Sequence, residues 1–302
     1  MSRPVVSVVV PCLDAETTLG RQLAALTAQV CRHPFEVIVA DNGSTDGSRE
    51  VAAGFADQGV RVVDASAVRG VGPARDAGVR AARADLVLHC DADDVVHDGW
   101  VEALTDALLA GADWVGGTTR HVLPGGALLR EETGLRRADL GDHRYAMGGN
   151  CGYHRAAWAE MGGFDASLPA AEEVDFFVRL EQHGHHGRAV PAAVLDYVQR
   201  DGLRALLRQQ RRYGRGWALV AEKHGAAEIG VVPRALRIGG RGAFAIVLVV
   251  VGLLVAPRRD RALLDRWARA AFQVGAAQAE LALLRGAVAP RRDGAGVEGA
   301  AP

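Results

Sequence analysis

The sequence predicts an α/β fold in which strands and helices alternate around a mostly parallel central sheet. Residues 5–10 are a largely β-branched run that stops at Pro11, and residues 37–40 are a second apolar run that stops at Asp41. The segment between the two runs has apolar residues at helical spacing, namely Leu19, Leu23, Leu26 and Val30. The stretch is therefore predicted to be strand, helix, strand.

A third predicted strand ends in a cluster of carboxylates. Residues 88–90 close the strand, and Asp91, Asp93 and Asp94 follow it directly. Like charges this close repel one another unless a cation neutralises them. Oxygen ligands without a Cys or His pattern favour Mg²⁺ or Mn²⁺, and Mg²⁺ usually binds one or two carboxylates plus substrate phosphates. The sequence thus predicts a metal and diphosphate site, and the alternative is an acidic turn.

The ends of these strands are predicted to meet at one edge of the sheet. Ligands of parallel sheets bind outside the carboxyl ends of the strands, and Pro11, Asp41 and Asp91 each stand at such an end. We therefore expect the three residues to line one crevice. For Asp41 the alternative is a role in starting the following helix, which Thr45 or Asp46 can also cap.

Six motifs occur in order along about the first two thirds of the chain: residues 6–14, 39–47, 72–78, 91–94, 162–165 and 172–175. In this set and order, the sequence resembles the inverting family 2 glycosyltransferases. The resemblance implies a GT-A nucleotide-diphospho-sugar transferase fold. It also implies transfer of a sugar from a nucleotide-diphosphate donor to a hydroxyl acceptor, glycan or lipid-linked, in cell-envelope glycan or glycolipid synthesis.

The same resemblance implies roles for the residues at the strand ends. Pro11, Asp41 and Arg75 would lie beside the nucleotide, and Asp41 would hydrogen-bond its base. Asp91 would meet the ribose or the metal. Asp93 would bind the divalent cation, Mg²⁺ or Mn²⁺, that bridges the diphosphate.

Sugar transfer also needs a base for the acceptor hydroxyl. Glu172 and Glu173 stand where a helix is predicted to begin, so their alternative role is to stabilise the helix N-terminus. By the resemblance, Glu173 occupies the place of the Asp taken as the catalytic base. Glu172 is the rival on the acceptor side, Asp175 is expected to be structural, and residues 148–152 are expected to form a wall of the pocket.

One departure from the family pattern concerns the metal. Many relatives carry a His shortly after the next strand, at a place that can complete the metal shell, and Tyr197 stands there in this chain. Either the cation is held by fewer protein ligands or Asp196 substitutes. The histidine-rich residues 183–186 are predicted to be a solvated turn.

Residues 209–213 resemble the Gln-x-x-Arg-Trp motif of processive family members. The resemblance implies that Arg212 approaches the diphosphate and that Tyr213 lines the acceptor site. The residues also predict a basic amphipathic helix suited to an anionic membrane surface. Its basic side carries Arg204, Arg208, Arg211 and Arg215. The two interpretations are compatible.

The C-terminal third predicts a helical, membrane-associating segment. Residues 243–256 are wholly apolar and would form a helix of about 21 Å, so spanning a hydrocarbon core of about 30 Å requires a start near Ile238. The alternatives are an interfacial or re-entrant helix and a buried helix at a subunit contact. The predicted domains are a GT-A domain at 1–200, basic and hydrophobic helices at 201–288, and a disordered tail at 289–302.

Composition limits the classes of function. With 49% hydrophobic residues and a formal net charge of −1, the chain does not resemble a nucleic-acid-binding protein. Its four cysteines are scattered, which indicates a reducing compartment, and residues 1–4 lead into the first strand without signal-peptide features. We therefore expect the protein at the cytoplasmic face of the cell membrane.

Two other functions remain open at this point. A nucleotidyltransferase also uses a metal and diphosphate site at a sheet edge, but it needs a Gly-rich, Lys- or Arg-containing loop near the first strand. Residues 13–18 do not form such a loop. The other is a non-catalytic nucleotide-sugar-binding protein, and the presence of Asp93 and Glu173 counts against it.

Overall fold

The structure is a computed structural model that describes residues 3–138, 140, 142–199, 203–225 and 261–284. The chain divides into two compact units. The first consists of residues 1–166 and 171–202, and the second of residues 167–170 and 203–302.

Among the described residues of the first unit, nine strands form one mixed sheet in the order β3-β2-β1-β4-β10-β6-β11-β5, with β7 beside β6. The strands are β1 (Val6–Cys12), β2 (Phe35–Asp41), β3 (Val60–Asp64), β4 (Leu86–Cys90), β5 (Val95–Val96), β6 (Trp114–Val122), β7 (Leu128–Glu132), β10 (Asn150–His154) and β11 (Gly187–Val198). A separate ribbon pairs β8 (Arg136–Arg137) with β9 (Arg144–Tyr145). The helices are α1 (Leu19–Thr27), α2 (Ser48–Ala53), α3 (Val71–Ala81), α4 (Trp100–Leu109), α5 (Arg155–Glu160) and α6 (Glu172–Gln182).

The predicted alternation of strands and helices is confirmed from β1 to β4, and β1 pairs in parallel with both β2 and β4. Two boundaries differ from the prediction. Pro11 lies inside β1, because the pairing with β4 ends at Val9 and leaves an edge where proline is tolerated. Val30 lies beyond the end of α1 and is 88% exposed, so it does not belong to the buried helix face.

The sheet is less parallel than the sequence predicts. Strand β10 runs antiparallel between β4 and β6, and both β5 and β7 also pair antiparallel with their neighbours. Since β10 is a five-residue strand with glycine at its centre, it has little strand signature in the sequence. The prediction of a mostly parallel sheet is therefore wrong for the second half of the unit.

The core of the first unit lies on both faces of the sheet. Alternate residues of β1 point to opposite faces, so that Val8 packs with Leu23 of α1, whereas Val9 packs in the cluster that contains Phe176 of α6. Both faces are buried around β1, which explains why its sequence is continuously apolar instead of alternating. The carboxyl ends of β1, β2 and β4 are thereby held rigidly at one edge.

The second unit contains the helices α7 (Leu203–Lys223) and α8 (Arg261–Leu284), which pack along each other. Their backbones come very close at Gly214 and Gly275. A side chain at Gly214 would collide with the carbonyl oxygen of Phe272, and one at Gly275 with that of Arg211. Helix α8 lies within residues 201–288, where the sequence predicts helices, and it packs on α7.

The predicted apolar segment at residues 238–256 and the tail at 289–302 lie outside the described residues. Of the helices within the described ranges, none is both long enough and apolar enough to cross a membrane.

Candidate active site

The ends of three neighbouring strands build one side of the site. Strand β1 lies between β2 and β4, and Cys12 at its end pairs with Asp41 at the end of β2. The loops after β1 and β2 are tied together, because the backbone N–H of Thr45 donates to Oδ1 of Asp14 over 2.8 Å. Asp91 follows β4 on the other side of β1. The predicted convergence of the strand ends is therefore confirmed.

Asp41 is held in place by its own loop and helix. Its carboxylate, 1% exposed, accepts a hydrogen bond from the backbone N–H of Ser44 at 3.1 Å and pairs with Nε of Arg49 at 2.6 Å. Burial alone would raise the pKa of Asp41, but these contacts hold it below its usual value. Asp46 accepts from the N–H of Ser48 at the start of α2, so Asp41 is not needed as the cap. Binding of a nucleoside base by Asp41 stays a prediction.

Asn42 is a structural residue of the site that the sequence analysis did not single out. Its side-chain amide donates to the carbonyls of Ala65 and Val68 at 2.5 and 2.8 Å, and its Oδ1 accepts from the N–H of Gly70 at 2.8 Å. These bonds fix the loop that leads into α3, the helix that carries Arg75. The position of Asn42 inside the motif at residues 39–47 was the available signal.

Arg75 lies at the centre of the site, between two carboxylates from distant parts of the chain. One terminal nitrogen of its guanidinium lies 2.6 Å from Oε1 of Glu172, and the other lies 2.9 Å from Oδ1 of Asp91. Arg75 and Glu172 are each 3% exposed. Burial alone would lower the pKa of Arg75, but the two carboxylates hold it above its ordinary value. The structure thus brings together two residues predicted on the donor side, Arg75 and Asp91, and one predicted on the acceptor side, Glu172.

Two glycines close the wall beside this cluster. A Cβ on Gly148 would lie 2.7 Å from a guanidinium nitrogen of Arg75, and a Cβ on Gly149 would lie 2.7 Å from Oδ2 of Asp91. Any larger residue would therefore displace one of the two charged groups. The glycines of the predicted pocket wall make room for Arg75 and Asp91.

The Gly-Gly-Phe motif at residues 162–164 packs against α3 and against the guanidinium of Arg75. Asp76 of α3 accepts hydrogen bonds from the indole N–H of Trp158 at 2.7 Å and from the N–H of Phe164 at 3.1 Å. Gly163 has φ +84° and no room for a Cβ against Asp76. The motif thereby holds the Phe164 ring beneath Arg75, whose guanidinium carbon lies 5.9 Å from the ring centre.

The start of α6 carries the predicted base. Ala171 precedes the helix with a left-handed backbone (φ 61°), which is unfavourable for alanine, and places Glu172 and Glu173 in the first turn. Glu173 is partly buried. Burial, reinforced by the negative charge of Glu172 and opposed by Arg75, raises the pKa of Glu173 to about 7. A carboxyl group with such a pKa can accept a proton near neutral pH.

Asp175 has a different, structural place in the same helix. Its fully buried carboxylate accepts from Nε of Arg179 at 2.9 Å. The guanidinium of Arg179 also donates to the carbonyls of Met161 and Gly163 at 2.7 and 2.8 Å. This network ties α6 to the Gly-Gly-Phe turn, as expected for a structural acid.

The residues that would hold a divalent cation are Asp91 and Asp93. Within the described ranges, no three or more His, Cys, Asp or Glu side chains form a metal-ligand cluster. Two carboxylates nonetheless fit the donor set of Mg²⁺ or Mn²⁺, which takes its other ligands from phosphates and water. The side chain of Asp91 is 26% exposed, so a cation can reach it. Asp196, the alternative ligand, instead pairs with His97 at 3.0 Å and with Arg120 at 3.4 Å.

Arg212 and Tyr213 lie on α7, in the second unit. The guanidinium carbon of Arg212 is 5.9 Å from the Tyr213 ring centre, and the side-chain amide of Gln209 donates to the Tyr213 hydroxyl at 3.1 Å. Their roles toward a diphosphate and an acceptor stay predictions.

Comparison with known proteins identifies the family. The family model described as "Glycosyl transferase family 2" matches residues 7–161, which are 155 of the 302 residues. A second model, "Glycosyl transferase family group 2", matches residues 134–271. The succinoglycan biosynthesis protein ExoA of Rhizobium meliloti is 28% identical over 72% of this chain and 71% of its own length. Glycosyltransferase AglE of Haloferax volcanii is 30% identical over 42% of this chain and 43% of its own.

Solved structures share the fold at low sequence identity. GalNAc-T7 with UDP, GalNAc and Mn²⁺ superposes with a TM-score of 0.58 at 14% identity, over 72% of this chain and 48% of that one. The mannosyltransferase PcManGT of Pyrobaculum calidifontis, in complex with GDP-Man and Mn²⁺, superposes with a TM-score of 0.55 at 19% identity, over 95% of this chain and 77% of that one. Residues 1–349 of TarS from S. aureus, in complex with UDP-GlcNAc, superpose with a TM-score of 0.53 at 16% identity, over 93% of this chain and 92% of that one. The fold is thus GT-A-like, and by the match of its sequence the chain belongs to glycosyl transferase family 2.

Proposed function

We propose that this glycosyltransferase is an inverting enzyme that uses a nucleotide-diphosphate sugar as donor and Glu173 as its catalytic base. The observation that supports the proposal is the arrangement around Arg75. A single guanidinium contacts Asp91, at the strand end where the donor is expected, and Glu172, next to the partly buried Glu173. A carboxyl group with a pKa near neutrality therefore lies close to the predicted donor site.

In the proposed reaction, the acceptor oxygen attacks the anomeric carbon of the sugar from the side opposite the diphosphate. The bond from that carbon to the diphosphate oxygen breaks, and the diphosphate keeps the electron pair. The hydroxyl proton passes to the carboxylate of Glu173. One displacement with one base inverts the configuration at the anomeric carbon.

A divalent cation, held by Asp91 and Asp93, belongs to the proposal. When bound, such an ion neutralises the negative charge of the departing diphosphate. The remaining work falls to the chain itself. Asp41 would orient the nucleoside. Gly148 and Gly149, which form the glycine wall, leave room for the side chains of Arg75 and Asp91.

The acceptor is proposed to be a hydroxyl of a glycan or of a lipid-linked sugar in the cell envelope. The relative ExoA is named for succinoglycan biosynthesis, which supports a role in an extracellular or envelope polysaccharide. Donor synthesis in the cytoplasm and a membrane-bound acceptor together put the proposed site of action at the cytoplasmic face of the membrane.

A donor screen tests this proposal. We expect one class of nucleotide sugar, with Mn²⁺ or Mg²⁺, to raise the melting temperature of the full-length protein, since a ligand stabilises according to the logarithm of its concentration over its dissociation constant. The same donor should release nucleoside diphosphate slowly in water and faster with a hydroxyl acceptor, and the product should have inverted configuration by NMR. Release of pyrophosphate from a nucleoside triphosphate and a sugar 1-phosphate would show a nucleotidyltransferase instead, and binding without any turnover would show a non-catalytic protein.

The basic side of α7 is the proposed contact with the membrane. Five exposed arginines at positions i, i+4, i+7, i+8 and i+11 fall within about 100° of the helix circumference. They are Arg204, Arg208, Arg211, Arg212 and Arg215, which we call the arginine stripe. The helix has no acidic residue before Glu222. Such a stripe is complementary to anionic headgroups.

Flotation with liposomes tests the arginine stripe. We expect the protein to float with vesicles that contain phosphatidylglycerol, and less at high salt because salt screens the attraction. Replacing Arg204, Arg208, Arg211 and Arg215 by Gln should lower the bound fraction by about tenfold or more. A control with the same loss of charge replaces four exposed arginines of the first unit, namely Arg21, Arg80, Arg83 and Arg188. Equal flotation of the two variants would contradict the proposal.

A further inference from the structure

The contacts of Arg75 join two parts of the site that are far apart in sequence. Asp91 follows β4, and Glu172 opens α6, 97 residues after Arg75. The resemblance to the family places Arg75 beside the nucleotide. In the structure, however, both ends of its guanidinium are engaged by protein carboxylates.

The geometry around this link is tightly fixed. Glu172 packs its side-chain stem on Gly72 of α3, where a Cβ would lie 3.3 Å from Cγ of Glu172. On the other side, Gly148 approaches the guanidinium, and the Phe164 ring lies beneath it. Arg75, which is 3% exposed, is thus surrounded by the segments that carry Asp91, Gly148, Phe164 and Glu172.

The charges explain why the link matters for the base. The carboxylates of Asp91 and Glu172 contact the buried guanidinium of Arg75, and the charge of Glu173 also interacts with it. The negative charge of Glu173 also acts on the titratable groups of Tyr145 in β9 and Cys151 in β10. Among all these groups, Arg75 is the one cation that favours the ionised form of Glu173. Its removal would leave the buried Glu172 and the partly buried Asp91 and Glu173 without the positive charge of Arg75.

We propose that Arg75 is a positioning residue, which holds Glu172 and thereby fixes the first turn of α6, with Glu173, at a set place relative to Asp91. The inference rests on the proposed function, in which Glu173 is the base. It assigns Glu172 to the support of the base, whereas the sequence predicts an acceptor-side residue and the rival candidate for the base. Arg75 then governs the rate of transfer more than the affinity for the donor.

Kinetics of four variants test the inference: Arg75→Gln, Arg75→Lys, Glu172→Gln and the Arg75→Gln/Glu172→Gln double variant. We expect Arg75→Gln and Glu172→Gln each to lower kcat by about tenfold or more, with the donor Kd from calorimetry within about threefold. The double variant should be no slower than the slower single one, because both changes break the same link. Arg75→Lys should restore part of the rate, since one ammonium keeps the charge but cannot hold both carboxylates.

A pH profile adds a readout that a purely structural role would not change. Loss of the Arg75 charge disfavours ionised Glu173, so the acid limb of the rate profile should move to higher pH in Arg75→Gln. The matched control is Arg179→Lys, a change at another buried arginine that pairs with a carboxylate of α6. It should lower the melting temperature without moving the acid limb.

The outcomes separate this inference from the proposed function. If the wild-type protein transfers no sugar, the proposed function fails. If it does transfer sugar, a large rise in donor Kd at unchanged kcat in Arg75→Gln would show a nucleotide contact and overturn the inference. Multiplying rate losses in the double variant would also overturn it. Should Arg75→Gln not fold, Arg75→Lys and Glu172→Gln decide: normal kcat in both would refute the link.

Discussion

Replacement of Glu173 by Gln should lower the rate of sugar transfer by at least about a hundredfold, while the protein still folds and binds donor. Removal of a general base typically costs about 10² to 10⁴ in rate. Gln keeps the size and most of the hydrogen bonding of the side chain but cannot take the acceptor's proton. The measurement is kcat for transfer beside donor affinity from calorimetry. A normal rate in the variant would refute Glu173 as the base.

The wild-type pH profile follows from the same carboxyl group. Because the pKa of Glu173 is raised to about 7 and only the carboxylate accepts a proton, transfer should rise as the pH increases through about 7. The limb should be missing in Glu173→Gln. A limb that stays in Glu173→Gln but disappears in Glu172→Gln would instead move the base by one residue.

The melting temperature gives an independent test of the raised pKa of Glu173. A carboxyl group that binds its proton more tightly in the folded state than in the unfolded state, where its pKa is near 4.5, destabilises the fold as the pH rises from about 4.5 to 7. Glu173→Gln removes that penalty, so the variant should melt no lower than wild type at pH 8. The control is Glu50→Gln in the first turn of α2, which also removes a negative charge near a helix N-terminus and has no proposed role in transfer.

The strand ends show what the sequence alone can predict. A β-branched run followed by a polar residue marks a strand end wherever it occurs. The parallel pairing of β1 with β2 and β4 then necessarily gathers Asp41 and Asp91 at one edge. Periodicity also located α1, although it placed Val30 on a helix that ends three residues earlier. These features are local, and local rules of propensity and spacing suffice for them.

The link through Arg75 shows why the rest was not predictable. Its partner Glu172 is 97 residues away, and no spacing rule connects a residue of α3 with the start of α6. The left-handed backbone of Ala171, which precedes this first turn, was equally unpredictable from the sequence, because alanine has no preference for such a backbone. The antiparallel β10, which carries Asn150 next to the glycine wall, is too short and too rich in small residues to show as a strand. Tertiary packing decides all three.

The metal is tested most directly at Asp93. Asp93→Ala should reduce transfer to background and remove the part of nucleoside diphosphate binding that depends on Mn²⁺ or Mg²⁺, because a hard carboxylate ligand of the cation would be lost. The binding measurement is calorimetry with the nucleoside diphosphate that the donor screen selects, in the presence of the metal and again in EDTA. Wild type should bind more tightly with metal, and Asp93→Ala should bind equally in both.

Two further variants separate loss of the cation from general damage to the site. Asp41→Asn should weaken nucleoside diphosphate binding both with and without metal, because its carboxylate is proposed to contact the base instead of the diphosphate. Asp98→Ala removes an exposed carboxylate close to Asp93 in the sequence and should change neither binding nor rate. If Asp93→Ala transfers sugar at nearly the wild-type rate in EDTA, the diphosphate must be neutralised by protein cations alone.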